Sequence, residues 1–434
     1  MKYIIMIPTD PILLVAPTCQ QIEELTLPNE VNEMTSLLSS DLERELAPVV
    51  DHNQLTTLAS DITVFTLAFY NLLRPKEGNL IYSPLSLSLA LSMTLAGAET
   101  TTRAAMLEAL QFSLDEDEIH PTFNALMLTI EESQVIDEET EGGSFELNIA
   151  NSIWGQQGFR FEQAFLDRIA LNYGAGIFTV DFVANPEPAC IAINDWVEDE
   201  TQEKITDLIP PDAITPLTRL VLANAIYFKG SWLHPFDQGL TQLGPFTTLD
   251  GDEISVEMMK LFDERLFYMR EGEFQAVSLP YLSRDFTMTL IVPDRGSFKI
   301  VEDLLTVDLL ASLHSNMVSE RINLEMPKFH FETTINANDP LKALGMAEAF
   351  DPDLSDFKGM AEVEDLHITD VLQKATITVD EEGTEAAAAT AVIVGLRSAP
   401  MGEPISMVID RAFLFFVQHQ PTGTIIFMGR VVEP

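Results

Sequence analysis

The chain has 434 residues, 46% of them hydrophobic, which is enough for one large domain or two ordinary ones with a substantial core. Its 24 Lys and Arg residues against 68 Asp and Glu residues give a formal net charge of −44, so nucleic acid, anionic membranes and heparin-like polyanions are poor partners. The acid excess is either a solubility or salt adaptation, which is the commoner explanation, or a docking surface for a cationic partner.

Residues 1–57 form an N-terminal leader of mixed, acidic character whose fold the sequence leaves open. Pro8 and Asp10 interrupt its apolar beginning, which therefore matches the continuous core of a signal peptide poorly. Cys19 stands where a lipid anchor could attach, but the residues before it fit such a site badly. A signal or anchor would place the protein in the cell envelope or outside the cell, and a retained leader would leave it in the cytoplasm. Both alternatives stay open.

Helical patterns dominate the first half of the chain. Apolar spacing predicts a helix over 60–73, which ends before Pro75 because proline cannot continue it. Ser83 and Pro84 predict a helix N-cap followed by proline at the first helical position. Apolar residues surround the helix that follows, which indicates that it is buried. Amphipathic helices are predicted over 100–110 and 161–173.

Strand patterns dominate the second half. Runs rich in β-branched and aromatic residues predict strands over 287–292, 322–326, 375–379, 413–417 and 424–428. Helices gathered early and strands gathered late favour an α+β fold with an antiparallel or mixed sheet.

Motifs of enzymes and metal sites do not occur in the sequence. The seven histidines show no HxxxH spacing, and neither a GxSxG elbow nor a Walker loop is present. His330 and His419 lie in strand-like runs and are interpreted as structural. Cys19 and Cys190 give no disulfide framework. We therefore expect no catalytic residue, no metal and no cofactor.

The most informative segment is 382–397, EGTEAAAATAVIVGLR, which Ser398 follows. The small residues 386–389 would let this segment slide between close-packed neighbours, and the triplet 392–394 favours a strand. The bond between Arg397 and Ser398 suits a trypsin-like protease, whose specificity pocket carries an acid. An Ala-rich helix or a loose linker is the alternative interpretation of the segment alone.

This segment resembles the hinge and reactive loop of the serpins, and further serpin-like motifs follow in family order over roughly 375 residues. They are NLIYSPLSLSLALSM (79–93), INDWVEDETQEKITDLI (193–209), LTRLVLANAIYFKGSW (217–232), EMPKFHFE (325–332), ALGMAEAFDPDLSDF (343–357) and DRAFLFFVQHQPTGTIIFMGRVVEP (410–434). The resemblance implies an inhibitory, prokaryotic serpin with its domain at 58–434. Its helices would pack around a large mixed central sheet, with 193–209 as a helix crossing that sheet, and a reactive-centre loop at about 381–404 would be exposed.

The resemblance also implies a function. The protein would be a suicide-substrate inhibitor, not an enzyme, and would be cleaved between Arg397 and Ser398. It would act as a monomer and trap a trypsin-like serine protease in a covalent 1:1 complex. The residues that match the family's hinge are Glu381, Glu382, Gly383, Thr384, Glu385, Ala386, Ala387, Ala388 and Ala389. A non-inhibitory chaperone, carrier or storage protein of the same fold is the alternative, and a scaffold that binds through its acidic face is a third.

Two further groups of residues match family positions at the central sheet. The shutter, where the sheet opens, comprises Ser83, Ser86, Asn224 and Gln373. Gln373 replaces a usual histidine, so a pH-gated opening through this residue is in doubt. The breach, where the loop first inserts, contains Trp232 and Lys328, with Glu381 as the partner of the lysine. Ordinary alternatives are a helix cap for Ser83, a buried amide for Asn224 and a surface ion pair for Lys328.

Overall fold

The computed structural model describes residues 35–134, 144–363, 365–384 and 402–434. Cys19 and the first 34 residues of the leader lie outside the described residues. The helices are α1 (His52–Leu73), α2 (Pro84–Leu95), α3 (Thr100–Ala109), α4 (Glu116–Glu132), α5 (Gln163–Tyr173), α6 (Pro186–Glu200), α7 (Phe298–Asp303), α8 (Val307–Asn316) and α9 (Asn338–Leu341). Among the described residues, no helix is long and apolar enough to cross a membrane.

Sixteen described strands build two large sheets. The strands are β1 (Ser36–Leu38), β2 (Leu80–Tyr82), β3 (Phe145–Gln156), β4 (Ile177–Val180), β5 (Leu220–Ser231), β6 (Gln242–Thr247), β7 (Glu253–Glu271), β8 (Phe274–Pro280), β9 (Phe286–Pro293), β10 (Val318–Pro327), β11 (Phe329–Asn336), β12 (Ile368–Val379), β13 (Gly383–Thr384), β14 (Ile405–Val408), β15 (Phe413–His419) and β16 (Thr424–Val431). The central sheet has the order β1-β4-β3-β5-β13-β12-β11, and the second sheet has the order β14-β10-β7-β8-β9-β15-β16-β2, with β6 paired to β7. Parallel β5–β12 and β3–β4 pairs among antiparallel ones confirm the predicted mixed α+β architecture.

The buried helix predicted after Ser83 is confirmed. Ser83 caps α2 by accepting a hydrogen bond from the backbone N–H of Ser86, and Pro84 occupies the first helical position. All twelve residues of α2 are buried. The helix contacts β3 and β5 of the central sheet and β16 of the second sheet, so it lies in the core between them. This position places the start of α2 directly beneath the strands that carry the candidate site.

The first predicted helix begins earlier than expected, at His52 and not at residue 60. Asp51 accepts a hydrogen bond from the backbone N–H of Gln54, and the Gln54 side chain accepts one from the backbone N–H of Asp51, which is a complete capping box. The described part of the predicted leader also contributes β1, which pairs antiparallel with β4 at the edge of the central sheet. Residues 35–57 are therefore continuous with the folded body.

The helix expected over 193–209 is shorter at its C-terminus than predicted. Helix α6 ends at Glu200, because Gln202 and Glu203 adopt left-handed backbone angles of φ 52° and 61° that a helix cannot contain. Residues 201–209 instead form a turn followed by an irregular connection that packs on the central sheet, and we call this segment the crossing loop. Its apolar side chains Ile205, Leu208 and Ile209 are buried in one cluster with α6 and the central sheet.

Among the histidines whose side chains the structure describes, His120 in α4 and His419 in β15 are buried. Burial, helped by the charges of Arg168 and Arg103, lowers the pKa of His120 to about 3. Its Nδ1 lies 2.7 Å from the hydroxyl of Tyr173. Burial also lowers the pKa of His419 to about 4, and its ring lies within hydrogen-bonding distance of Thr422 and Ser133. The structural interpretation of His419 is confirmed.

We expect these two histidines to make the folded state less stable in acid. Both stay neutral in the folded protein but accept a proton near pH 6.5 when unfolded, so their contribution is fully present above pH 6.5 and decreases as the pH falls toward 3–4. Between pH 7 and pH 5 each should cost about 2 kcal/mol of unfolding free energy. Urea midpoints at the two pH values measure this loss. The decrease should be about 2 kcal/mol smaller in the His120→Gln variant than in the wild type. An unchanged decrease in His120→Gln would contradict the assignment.

Candidate functional site

Three side-chain amides stand side by side across the middle of the central sheet, and we call them the amide row. They are Asn151 on β3, Asn224 on β5 and Gln373 on β12. The strand register places Asn224 opposite both of its neighbours, antiparallel to Asn151 and parallel to Gln373. The start of α2, with Ser83 and Ser86, lies below the row. The shutter residues singled out in the sequence therefore come together in one place.

Gln373 makes the hydrogen bonds that join β12 to the helix below. Its Oε1 accepts the backbone N–H of Ser83 at 3.0 Å, and its Nε2 donates to the Ser83 carbonyl at 3.0 Å. The same Nε2 donates to Asn224 Oδ1 at 2.6 Å, across the boundary between β12 and β5. A glutamine can donate and accept at once but does not titrate. These contacts are therefore independent of pH around neutrality.

Asn151 completes the row, and the sequence analysis missed it. Asn224 donates through Nδ2 to Ser86 Oγ and to Asn151 Oδ1, and Ser86 Oγ donates to Asn151 Oδ1 at 3.1 Å. Asn151 Nδ2 in turn donates to the Ser86 carbonyl at 3.2 Å. An asparagine inside an otherwise strand-forming run was the available signal, because asparagine is depleted in strands.

We call the boundary between β5 and β12 the seam. Along one part of the seam the two strands are hydrogen-bonded to each other, and along the other part β13 separates them. The two strands pair directly from Ile368 and Leu220 to Ala375 and Ile226. Beyond this point β13 lies between them.

Strand β13 comes from the predicted hinge and is already part of the sheet. Thr384 pairs with Gly230 of β5 and with Val379 of β12, and Gly383 pairs with Ser231. Thr384 has no exposed surface. Of the residues predicted at the start of an exposed loop, Glu381, Gly383 and Thr384 are thus buried and Glu382 is half-buried, because the chain turns back after β12 and returns into the seam as β13.

Trp232 and Tyr281 hold this turn in place. The indole Nε1 of Trp232 donates to the carbonyl of Asp380 at 3.0 Å, and its backbone N–H donates to the carbonyl of Glu382 at 2.8 Å. The Trp232 ring stacks on Tyr281 with 4.6 Å between ring centroids. The Tyr281 hydroxyl lies 3.0 Å from Thr384 Oγ1. The contacts of these two aromatic residues therefore fix β13 and the turn before it at this end of the seam.

Lys328 and Glu381 form an ion pair beside the turn. Lys328 Nζ lies 2.7 Å from Glu381 Oε2, and the Thr241 hydroxyl donates to Glu381 Oε1 at 2.6 Å. Burial raises the pKa of Glu381, but the hydrogen bonds from Lys328 and Thr241 outweigh burial and leave it below its usual value. Burial lowers the pKa of Lys328, but Glu381 outweighs that effect and raises it. The Glu381 side chain is only 6% exposed, so the pair is not an ordinary surface ion pair.

Residues 385–401 of the predicted loop lie outside the described residues. This applies to the hinge residues Glu385, Ala386, Ala387, Ala388 and Ala389 and to the predicted reactive bond between Arg397 and Ser398. The description resumes at Gly402, whose carbonyl accepts a hydrogen bond from Arg321 Nη1 at 2.8 Å. Strand β14 then pairs with β10. The segment 385–401 therefore connects the seam of the central sheet to the edge of the second sheet.

Comparisons with known proteins all indicate the same family. The family model described as serpin (serine protease inhibitor) matches residues 60–434. The chain is 35% identical over 388 residues to an uncharacterised serpin-like protein of Thermococcus kodakarensis, covering 89% of this chain and 88% of that protein. It is also 35% identical over 389 residues to the leukocyte elastase inhibitor of Sus scrofa, covering 87% of this chain and 99% of that protein. The crystal structure of tengpin, a thermophilic serpin in its native state, aligns with a TM-score of 0.78 at 28% identity, covering 92% and 100%.

Proposed function

Because the chain belongs to the serpin family of serine protease inhibitors, we propose that it inhibits a trypsin-like serine protease as a suicide substrate. The observation that supports this proposal most is the position of β13. The hinge strand lies between β5 and β12 in the intact chain, aligned with the seam that a longer strand would occupy. The small residues 386–389 follow directly and would occupy the next positions.

The reaction begins as ordinary proteolysis. A trypsin-like protease binds the Arg397 side chain in its acidic pocket, and its serine forms an acyl-enzyme with the Arg397 carbonyl while Ser398 leaves as the new amino terminus. Cleavage frees residues 385–397 from the second sheet. They then insert as a strand that continues β13, the kind of transition known for serpins. A strand from Thr384 to Arg397 has about 14 residues and would move the protease by roughly 45 Å.

Strand insertion can supply the energy that deforms the protease. The new strand would make roughly a dozen backbone hydrogen bonds of about 0.5–1.5 kcal/mol each, which gives a gain on the order of 10 kcal/mol. This gain is comparable to the stability of a whole domain, so it suffices to distort an active site and stall deacylation. The product is a covalent 1:1 complex of protease and monomeric inhibitor.

The amide row has a defined part in this mechanism. A strand that continues into the seam must separate Gln373 from Asn224, which are joined by one hydrogen bond of 2.6 Å. Both amides would remain hydrogen-bonded to α2, to Asn151 or to the new strand, so no buried polar group would be left unsatisfied. The row can therefore open at a low energetic cost.

We expect the intact protein to form an SDS-stable complex with trypsin, and Arg397→Leu to lose it. Arg397 is the only basic residue between Glu381 and Asp410, so its removal should reduce trapping of trypsin at least 100-fold and favour chymotrypsin-like proteases. The amount of SDS-stable complex on a gel measures trapping. Arg265→Leu, a substitution of another exposed arginine, is the matched control and should leave trapping unchanged.

The cleavage position is tested in the same experiment. N-terminal sequencing of the released C-terminal peptide should begin at Ser398. A different first residue would overturn the assignment of the reactive bond and would make Leu396 or Met401 the next candidate. If the wild-type protein is cleaved between Arg397 and Ser398 but no covalent complex survives SDS, the non-inhibitory alternative replaces the proposed function.

A further inference from the structure

Arg321 ties the carboxyl end of the predicted loop to the body, and no step described so far uses this residue. It lies in β10, one residue before the pairing of Ile322 with Ile405 of β14 begins. Its Nη1 donates to the carbonyl of Gly402 at 2.8 Å. This is the first hydrogen bond that the structure describes after residue 401. It therefore fixes the chain three residues before β14 starts.

An ion pair with the neighbouring strand β7 aims Arg321 at this carbonyl. Arg321 Nε donates to Asp263 Oδ1 at 2.5 Å, and Nη2 lies 2.5 Å from the same oxygen. The two side chains are 21% and 27% exposed, so both are largely shielded from solvent. A guanidinium group is planar and holds its donors in a fixed fork. Because Asp263 binds one side of this fork, the remaining nitrogen, Nη1, is directed at Gly402.

Asp263 holds the arginine from a strained backbone position. The pairing of β7 with β10 shifts in register between Ile322 and Leu324, where β7 carries one extra residue. Asp263 lies in this bulge with a φ angle of 56°, and its backbone N–H donates to Asn323 Oδ1 at 2.9 Å. Glycine would adopt this angle at a lower cost. The aspartate is therefore explained by its carboxylate, since bulges commonly re-aim a side chain toward a functional site.

Gly402 has a backbone conformation that suits the same contact. Its φ angle is 90°, which other residue types rarely adopt. A Cβ atom at this position would meet nothing within 4 Å, so the surrounding space does not require a glycine. The backbone angle requires it instead, and with this angle the carbonyl of Gly402 accepts the hydrogen bond from Arg321.

The contact determines how far the proposed reactive bond is from a fixed point of the body. Residues 398–401 connect this bond to Gly402, and residues 398–404 would connect it to Ile405 if the contact were lost. At about 3.5 Å per residue, the largest reach of the bond would grow from about 14 Å to about 25 Å. A protease binds the loop in one productive geometry, which a shorter tether populates more often. We propose that Arg321 is a positioning residue that holds the carboxyl end of the reactive loop and sets how fast a protease captures it.

This inference rests on the proposed function, of which it names a positioning residue. The test compares the second-order rate constant for capture by trypsin in Arg321→Met and in the wild-type chain. Methionine keeps most of the apolar stem of arginine but removes both contacts of the guanidinium group. We expect the rate constant to fall about threefold or more, because the reach of the bond increases. The ratio of cleaved inhibitor to trapped complex should not change, since the contacts of Arg321 lie on the second sheet and not at the seam.

Further variants identify the contact that matters. Asp263→Gly removes the carboxylate but relieves the backbone strain, so its unfolding free energy should stay close to the wild-type value while its rate constant falls as in Arg321→Met. The double variant should fall no further, because both substitutions remove one shared contact. Arg270→Met breaks an exposed ion pair with Asp294 and is the matched control, with the wild-type rate constant expected. If Arg321→Met fails to fold, Asp263→Gly replaces it. A wild-type rate constant in either folded variant overturns the proposal, as does an equal decrease in Arg270→Met.

Cleavage of the loop separates this inference from the proposed function. The rate at which trypsin cuts the loop can be followed on a gel whether or not the acyl-enzyme is trapped. If the wild-type chain is cut but forms no SDS-stable complex, the proposed function fails, and the cleavage rates of the wild type and Arg321→Met still test the role of Arg321. If the wild-type chain traps trypsin and Arg321→Met captures it at the same rate, only the role of Arg321 fails. If trypsin does not cut the loop, both fail.

Discussion

Cutting the loop between residues 389 and 398 should raise the melting temperature of the protein, although a peptide bond has been lost. In an ordinary protein a nick frees the unfolded chain and lowers stability, as the loss of a cross-link does. In the proposed mechanism the cut releases a strand that would gain on the order of 10 kcal/mol in backbone hydrogen bonds by inserting into the seam. The expected increase is about 10–15 °C.

The measurement needs no knowledge of the natural target. Any nonspecific protease that cuts within 389–398 leaves the hinge attached to β13, and thermal unfolding is then compared at one scan rate because the transitions can be irreversible. The control is Thr384→Arg, nicked in the same way, which should gain much less. A nicked wild-type protein that melts at or below the temperature of the intact one would leave the serpin fold without its inhibitory mechanism.

Thr384→Arg should convert the inhibitor into an ordinary substrate. Thr384 is fully buried between β5 and β12, with its hydroxyl 3.0 Å from that of Tyr281, so the intact site has no room for a guanidinium group. Burying this charge in the seam costs several kcal/mol. Insertion should therefore slow by more than about 100-fold, and deacylation should release active trypsin.

The ratio of trypsin turnovers to trapped complexes measures this effect. Thr384→Ser keeps the hydroxyl and the small volume, so it should trap trypsin like the wild type and serves as the matched control. Cleavage of Thr384→Arg should still occur after Arg397, because the substitution lies far from the reactive bond. If Thr384→Arg traps as efficiently as the wild type, strand insertion through the seam cannot be the mechanism.

The sequence was sufficient to predict a helix end where that end is determined by residues next to it in the chain. Ser83 and Pro84 predicted the start of α2, since an N-cap and a first-turn proline act within one helical turn. The start of α1 was missed because its signal, the capping box of Asp51 and Gln54, precedes the apolar pattern used to place the helix. The end of α6 was missed because positive φ angles at Gln202 and Glu203 have no signature in residue type.

The candidate site was only partly predictable, because its contacts join residues far apart in the chain. Ser83, Asn224 and Gln373 were recognised through the family resemblance, whereas Asn151 is defined by its register opposite Asn224. The location of Thr384 inside the sheet could not be predicted, since β13 has two residues and carries no periodic pattern.

The structural reason for a glycine at position 383 also could not be predicted from the sequence. The sequence indicates a turn-prone glycine, but its position in the structure has a different cause. A Cβ atom at Gly383 would lie 2.1 Å from the carbonyl oxygen of Gly230, so only glycine lets the two backbones approach. The atom that requires a glycine here belongs to Gly230 in β5, which lies about 150 residues earlier in the chain.

In the proposed mechanism, the pairing of β13 with both strands of the seam means that insertion would be nucleated before any protease arrives. In strand formation the costly event is the first contact, because it closes a chain loop against conformational entropy before further hydrogen bonds compensate it. Once Thr384 is in register, each later residue joins next to one that is already paired. The step proposed to follow cleavage would therefore be propagation, and its speed would depend on how easily β5 and β12 separate ahead of the growing strand.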